Sequence, residues 1–464
     1  MLVIGKDGRV REHRQSLAPA STFPAVRAAR PVARPATRRT VAGELTKLLA
    51  AGQIDAATYA ARRAAYDSAK RTVKRLRGTR RQELGAVVAI LDDVAARGQL
   101  TPSRLAPLWL TLERNVQWWT TGPLLTPGRR VGFEGSQIVW QYYPGAGLQI
   151  QVLGTFGKVN ALWASRQLPA LGAAVDELLP LAAERAGGLA WEYYFPYRGG
   201  RAPWVSGLAQ GTALQALARA ATLLNRREDI LPVAQRGLGI FQTPPPEGVR
   251  VPAGAGAHYA QYSFEPRLRI LNGFVQSLVG LYDYARLAAD PLAQALFADG
   301  ERRAREEVPA YDTGAWSLYS RGSVQRESDL GYHKLLRDFL SSLCNRTGEP
   351  TYCDAVARFT AYLSQPPVLD VRTTELRGGR YGRINLDLSK ISLVTLRIER
   401  DGKLVHTRYV GPLAHGQRSL GWAVPRRAGV YTVELTARDL AGNPGFAEAQ
   451  IDVLPPPKKE PEAR

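Results

Sequence analysis

Sulfur and imidazole are scarce in this chain: 464 residues include two cysteines, one methionine and five histidines. Two cysteines alone cannot build a thiolate zinc site, and no HExxH or CxxC spacing supplies another metal or redox motif. Carboxylates are also short. Lys and Arg number 62 against 41 Asp and Glu, leaving a net charge of +21. The deficit is uneven, because residues 1–84 hold 19 of the cations and only 6 of the acids. The run RTVKRLRGTRR, from Arg71 to Arg81, contains no carboxylate. Such an excess suits a polyanion, whether nucleic acid, an anionic membrane surface or an acidic polysaccharide; the competing reading, and the first choice, is a solvated helix face in an Ala/Arg-rich composition. Without an RNP, helix-turn-helix or zinc-finger pattern, no nucleic-acid partner is expected.

Long apolar runs are missing as well, and none reaches the roughly 18 residues that a membrane-spanning helix needs. The opening MLVIGKDGRVREHRQ lacks the apolar core and small-residue cleavage site of a signal peptide. The expectation is a cytoplasmic protein, or one whose export signal is absent from this sequence. No GxSxG elbow or P-loop occurs. The glycines of GAGAHY (254–259) follow no buried strand, which excludes a dinucleotide fingerprint. No metal and no cofactor are expected.

The length predicts more than one domain. Residues 1–40, rich in Arg, Ala and Pro, read as a disordered basic segment. Helical periodicity begins at Thr40 and predicts helices near 41–51, 55–77, 80–98 and 102–119, an N-terminal helical region over 41–125. Residues 130–160 alternate β-branched and aromatic with polar residues around a Pro144-Gly145 turn, predicting a hairpin or small sheet. Helical spacing returns from Ala161 to Leu363, in hairpins joined by aromatic loops. This predicts an α/α toroid that, with the β element, fills 126–365. After Gln365-Pro366-Pro367, Val394, Leu396 and Ile398 alternate with polar residues, and Asp401-Gly402 signals a hairpin turn. A β-sandwich is predicted over 366–453 and a disordered tail over 454–464. The fold class expected is multidomain and mainly α. Cys344 and Cys353 lie about a helix–helix turn, Asn345 to Pro350; free buried thiols are expected, with a disulfide as the alternative.

The richest chemistry lies in Val308–Leu343, where Tyr319, Arg321, Tyr332 and His333 fall between two helical patterns. The loops WEYYFPYRGGRAPW (191–204) and HYAQYSFEP (258–266) add Tyr197, Arg198, Trp204, His258 and Gln261. Aromatic rings offer flat faces to sugar C–H groups, and guanidinium is a two-pronged donor for a carboxylate. The competing reading is that tyrosines and tryptophans at helix ends pack between hairpins.

Four segments resemble the D-glucuronyl C5-epimerase family: WVSGLAQGTALQALARA (204–220), YSFEPRLRILNGFVQSLVGLYDYARLA (262–288), YDTGAWSLYSRGS (311–323) and DLGYHKLLRDFL (329–340). QYYPGAGLQIQ fits the family's β element, and the resemblance covers about 130–365. GVYTVELTARDLAGN resembles the Ig-like modules appended to bacterial surface proteins, which act as spacers or contacts. The family resemblance implies an α/α toroid that inverts C5 of D-glucuronate to L-iduronate within a polysaccharide. It implies a bacterial isomerase with an acidic, glucuronate-containing polymer as partner; a homodimer and a peripheral contact between the basic N-terminal region and an anionic surface are compatible with it. Such a polymer and the module favour the cell surface or secretion.

Carried over singly, the family's functional tyrosines fall on Tyr319, Tyr332 and Tyr262, with Tyr332 the leading proton-transfer group. Removing the proton beside a carboxylate demands a cation for that carboxylate and a phenol whose phenolate is stabilised. Arg321 leads for the carboxylate, followed by Arg198 and Arg250. The chain departs from the family at Gln261, where vertebrate members have a glutamate resembling the opposing base. Glu265 is the nearest replacement. Two rivals stay open: a uronate polysaccharide lyase, and a non-catalytic protein that binds acidic glycans.

Overall fold

Thr40 begins the first helix by accepting the amide hydrogen of Gly43 on its hydroxyl oxygen, and Asp55 caps the second on Thr58. The helices are Val41–Ala50, Ala56–Arg75, Gly78–Ala96 and Pro102–Thr121, close to those predicted from periodicity. Their apolar faces meet in a core that includes Leu45, Leu91, Trp109 and Leu112. Each such fully buried side chain contributes about 1.5–3 kcal/mol. The computed structural model describes residues 1–5, 7, 9–12 and 39–457. They combine helices with several sheets, so the content is mixed rather than mainly α. The chain divides into two units: 1–269 with 276–303, and 270–275 with 304–464.

In the first unit a five-stranded sheet runs, edge to edge, Val10–Glu12, Leu2–Ile4, Arg130–Phe133, Trp140–Tyr143 and Gly147–Ile150. Leu2–Ile4 pairs parallel with residues 131–133. Disorder was expected over 1–40, and it does not hold for these two N-terminal strands; the rest of that basic segment lies almost entirely outside the described residues, as does most of the expected tail. The predicted sheet over 130–160 is also too long. Gln151 caps Gly154 with its side-chain oxygen, and Val152–Ala164 is a helix. Gly207–Leu223, rich in Ala and Gly, is buried on nearly every face, which lets neighbouring helices approach closely.

In the second unit, helices Leu330–Thr347 and Pro350–Ala361 are joined by Gly348, whose φ of +65° ends the first helix in the left-handed region. The turn brings Cys344 and Cys353 to a Cα separation of 5.1 Å, and the two form a disulfide rather than the free thiols expected. Further on, two sheets share one apolar core. One orders Leu369–Val371, Tyr381–Leu388 and Gly416–Ala423; the other orders Glu375–Arg377, Pro444–Leu454, Gly429–Asp439, Ser392–Arg400 and Lys403–Leu413. Val394, Leu396 and Ile398 point inward as their alternation predicted. Asp401 and Gly402, both at positive φ, make the hairpin turn.

Candidate active site

In the second unit the Asp312-Thr-Gly turn is fixed locally. The Asp312 carboxylate accepts from the Gly314 amide at 2.9 Å, and Thr313 and Trp316 exchange hydrogen bonds. Strand Leu318–Gly322 follows and pairs antiparallel with Arg326–Glu327. Because side chains alternate along a strand, Leu318 and Ser320 turn inward while Tyr319 and Arg321 share the opposite, partly open face. Asp329 caps the next helix on the Tyr332 amide, at 2.8 Å. The result is a tilted pair of phenol rings, Tyr319 and Tyr332, with centroids 4.5 Å apart. Two guanidiniums stand nearby, Arg326 at 6.0 Å over the Tyr319 ring and Arg321 at 5.8 Å over Tyr311. Arg326 escaped the reading of the sequence; its signal was the hairpin register, which sets it opposite Ser320 beside Tyr319.

His333 does not join this face. It is fully buried, stacked on Trp316 at 3.7 Å between centroids. Its Nδ1 lies 2.8 Å from the Ser317 hydroxyl and its Nε2 2.9 Å from the Phe359 carbonyl oxygen, to which Nε2 donates. Burial pushes its pKa down to about 4, so the ring is neutral and its role structural rather than substrate-binding.

In the first unit the loop aromatics form a packed cluster. Tyr193 stacks on Trp204 at 4.2 Å, Tyr197 stacks on Trp204 at 5.9 Å, and Tyr262 stacks on Phe264 at 5.5 Å. Tyr197 and Trp204 are both 2% exposed, and the Trp204 indole donates to the Phe195 carbonyl. Both therefore act as packing residues, in line with the competing reading and against an open sugar platform. Tyr262 is buried beside them, its hydroxyl 3.0 Å from the Gln261 amide nitrogen. Arg198, at φ +48°, is an ion-pair partner of Glu265 at 3.9 Å, which brings two predicted site residues together. Arg250 is held by Asp299 through two hydrogen bonds of 3.1 and 2.8 Å, so its guanidinium is already committed. His258 is buried in strand Gly256–Tyr259. Gln210 clasps the backbone of Trp191 from both sides, accepting from its amide and donating to its carbonyl.

Residues 187–361 match the family described as D-glucuronyl C5-epimerase C-terminus. The match takes in less than half of the chain, so it is this segment that is similar to that family. A D-glucuronyl C5-epimerase of Caenorhabditis elegans is 33% identical over 129 residues, which are 25% of this chain and 21% of that protein. An uncharacterized protein of Methanocaldococcus jannaschii is 25% identical over 171 residues, 35% of this chain and 54% of its own. The chain thus spans about a fifth and about half of these relatives' lengths. The solved structure of a Cellulomonas fimi endo-beta-1,4-mannanase double mutant aligns with 78% of this chain and 84% of its own, at 11% identity and a TM-score of 0.13. So low a score carries no argument. The matched segment contains every predicted site residue, and in it Tyr319, Tyr332, Arg321 and Arg326 form the group with partly open phenols.

Proposed function

We propose that this chain inverts C5 of D-glucuronate residues within an acidic polysaccharide, giving L-iduronate. The observation that carries the reading is the Tyr319–Tyr332 pair, at 4.5 Å, beside Arg321 and Arg326 inside the family segment. The reaction breaks the C5–H bond and leaves the electron pair on a carbanion delocalised into the carboxylate. A proton then returns to C5 from the opposite face, so nothing is oxidised or reduced. Guanidinium groups offset the second negative charge as it develops. In this reading Tyr332 transfers a proton, Tyr319 shares or orients that transfer, and Arg321 with Arg326 binds the carboxylate. Tyr262 and the Arg198–Glu265 pair are second candidates. The helical part is read as an α/α toroid and the two C-terminal sheets as an Ig-like module.

Gln261 favours one other reading. Without a carboxylate at that position, abstraction can end in expulsion of the C4 oxygen, which is lyase chemistry. Incubation with glucuronate polymers in D₂O separates the outcomes. Deuterium at C5 with intact chains supports the epimerase. Cleavage with an unsaturated, ultraviolet-absorbing product supports the lyase. Binding without exchange leaves a glycan-binding protein and sinks both enzymatic readings.

A further inference from the structure

We infer that the C-terminal two-sheet region positions the Tyr319–Tyr332 pair, with Glu327 and Lys390 as its positioning residues. The inference rests on the reading of that pair as the proton-transfer site, and it assigns the module a role in the reaction rather than that of a spacer.

Glu327 lies directly opposite Leu318 in the hairpin, one residue from Tyr319. Its side chain is almost fully buried, and among the described residues its carboxylate has no hydrogen-bond or ion-pair partner within residues 187–361. The carboxylate instead accepts the amide hydrogens of Ile391, at 3.1 Å, and His415, at 2.9 Å. Ile391 immediately precedes strand Ser392–Arg400, and His415 lies between Lys403–Leu413 and Gly416–Ala423. The strand that pairs with the Tyr319 strand is therefore tied to two separate loops of the C-terminal sheets. A buried carboxylate is tolerable only with such donors, so the link is obligatory for both sides.

Lys390 makes the second link. Its ammonium is buried against Asp439 at 2.8 Å and donates to the carbonyls of Tyr362, at 2.8 Å, and Gln365. Those three acceptors use all three of its protons. The same nitrogen lies 5.6 Å from the centre of the Trp316 ring, the ring on which His333 stacks. Trp316 donates to the Ser328 carbonyl, and Ser317 bonds both Ser328 and His333. Lys390 thus backs the bracket that joins the start of the Tyr319 strand to the helix carrying Tyr332. A displacement of about 1 Å in such a pair can cost on the order of 100-fold in rate.

The test uses the full chain. Glu327→Gln keeps the size of the side chain but presents an amide hydrogen to one of the two donors. It is expected to lower kcat for C5 deuterium exchange by about 10-fold to 100-fold while KM changes little. Amide hydrogen exchange at residues 317–322 is expected to quicken in the same variant. Glu327→Asp, which keeps the charge but shortens its reach, should show a smaller fall and serves if the Gln variant does not fold. Glu448→Gln, on an exposed position of the same sheets, should change neither readout. A folded Glu327 variant with unaltered kcat beside an active wild type overturns the inference. If the wild type shows no C5 exchange, the proposed function fails instead, and amide exchange at 317–322 decides alone: quickening supports the tie, and no change refutes it.

Discussion

A phenol and an imidazole at adjacent positions of helix Leu330–Thr347 meet opposite surroundings. Tyr332 is partly open and faces Tyr319, whereas His333 is sealed among Trp316, Ser317 and Phe359. Two different measurements follow. Tyr332→Phe removes only the hydroxyl, so C5 exchange should vanish while polymer binding stays within several-fold; unaltered exchange would remove Tyr332 from the mechanism. His333 bears on stability. Its folded pKa, about 4, lies below the unfolded value near 6.5, so protons bind the unfolded chain more readily. Its contribution is whole above pH 6.5 and is lost as the pH falls towards 4, up to roughly 3 kcal/mol. Denaturant midpoints measured across that window should fall steeply for the wild type and less for His333→Gln; parallel curves would contradict the assignment. Glu192 is a third case. Its buried carboxylate binds Arg104 at 2.7 Å and Arg185 at 2.7 Å and accepts from Tyr194. Glu192→Gln leaves two buried guanidiniums short of their counter-charge, and a loss of about 3–5 kcal/mol in unfolding free energy is expected.

Glycine separates two kinds of helix contact. A Cβ on Gly280 would lie 2.0 Å from the Gly211 carbonyl oxygen, which belongs to the buried helix Gly207–Leu223. Backbone has to move to admit it, so Gly280→Ala should cost about 1–3 kcal/mol. Gly157, inside helix Val152–Ala164, meets nothing within 4 Å. Gly157→Ala should therefore be neutral or stabilise by about 0.5–1 kcal/mol. Thermal unfolding of the two variants compares them directly, and equal effects would refute the close crossing. Local pattern made many elements legible in the sequence: the four N-terminal helices, the alternation of Val394, Leu396 and Ile398, and the Asp401-Gly402 turn. Partners distant in the chain were not legible. Leu2–Ile4 gave no strand signal because its pairing residues lie at 131–133. Helix Val152–Ala164 carries β-branched residues that mimic a strand, and its start depends on the Gln151 cap. At the site, Tyr319, Arg321 and Tyr332 were read from spacing and resemblance. Arg326 needed the hairpin register, and the burial of Tyr197 and Trp204 needed their ring neighbours. Glu327 drew no notice, since its partners at 391 and 415 lie beyond the matched segment.

Charge is the property that the chain as a whole distributes most unevenly. Lys70, Arg71, Lys74, Arg75, Arg77 and Arg81 are exposed on helices Ala56–Arg75 and Gly78–Ala96 or the short link between them. Among the described residues none of them has a carboxylate within 4.0 Å. Lys70 with Lys74, and Arg71 with Arg75, are like-charged pairs four residues apart, each costing about 0.2–0.5 kcal/mol. Among the described residues no ion pair to a carboxylate offsets that cost, and the six cations stand exposed to solvent. If the substrate is an acidic polymer, these cations hold stretches of it outside the matched segment. Replacing Lys74, Arg75 and Arg77 together by Glu should weaken binding of a long glucuronate polymer by roughly 10-fold at low ionic strength, about 1.4 kcal/mol. The difference should shrink as salt shortens the Debye length below about 10 Å. C5 exchange on a short oligosaccharide, too short to reach a second surface, should keep its kcat, and thermal stability should hold or rise. Equal polymer affinity and equal salt dependence in both proteins would mean that the cations are merely solvated.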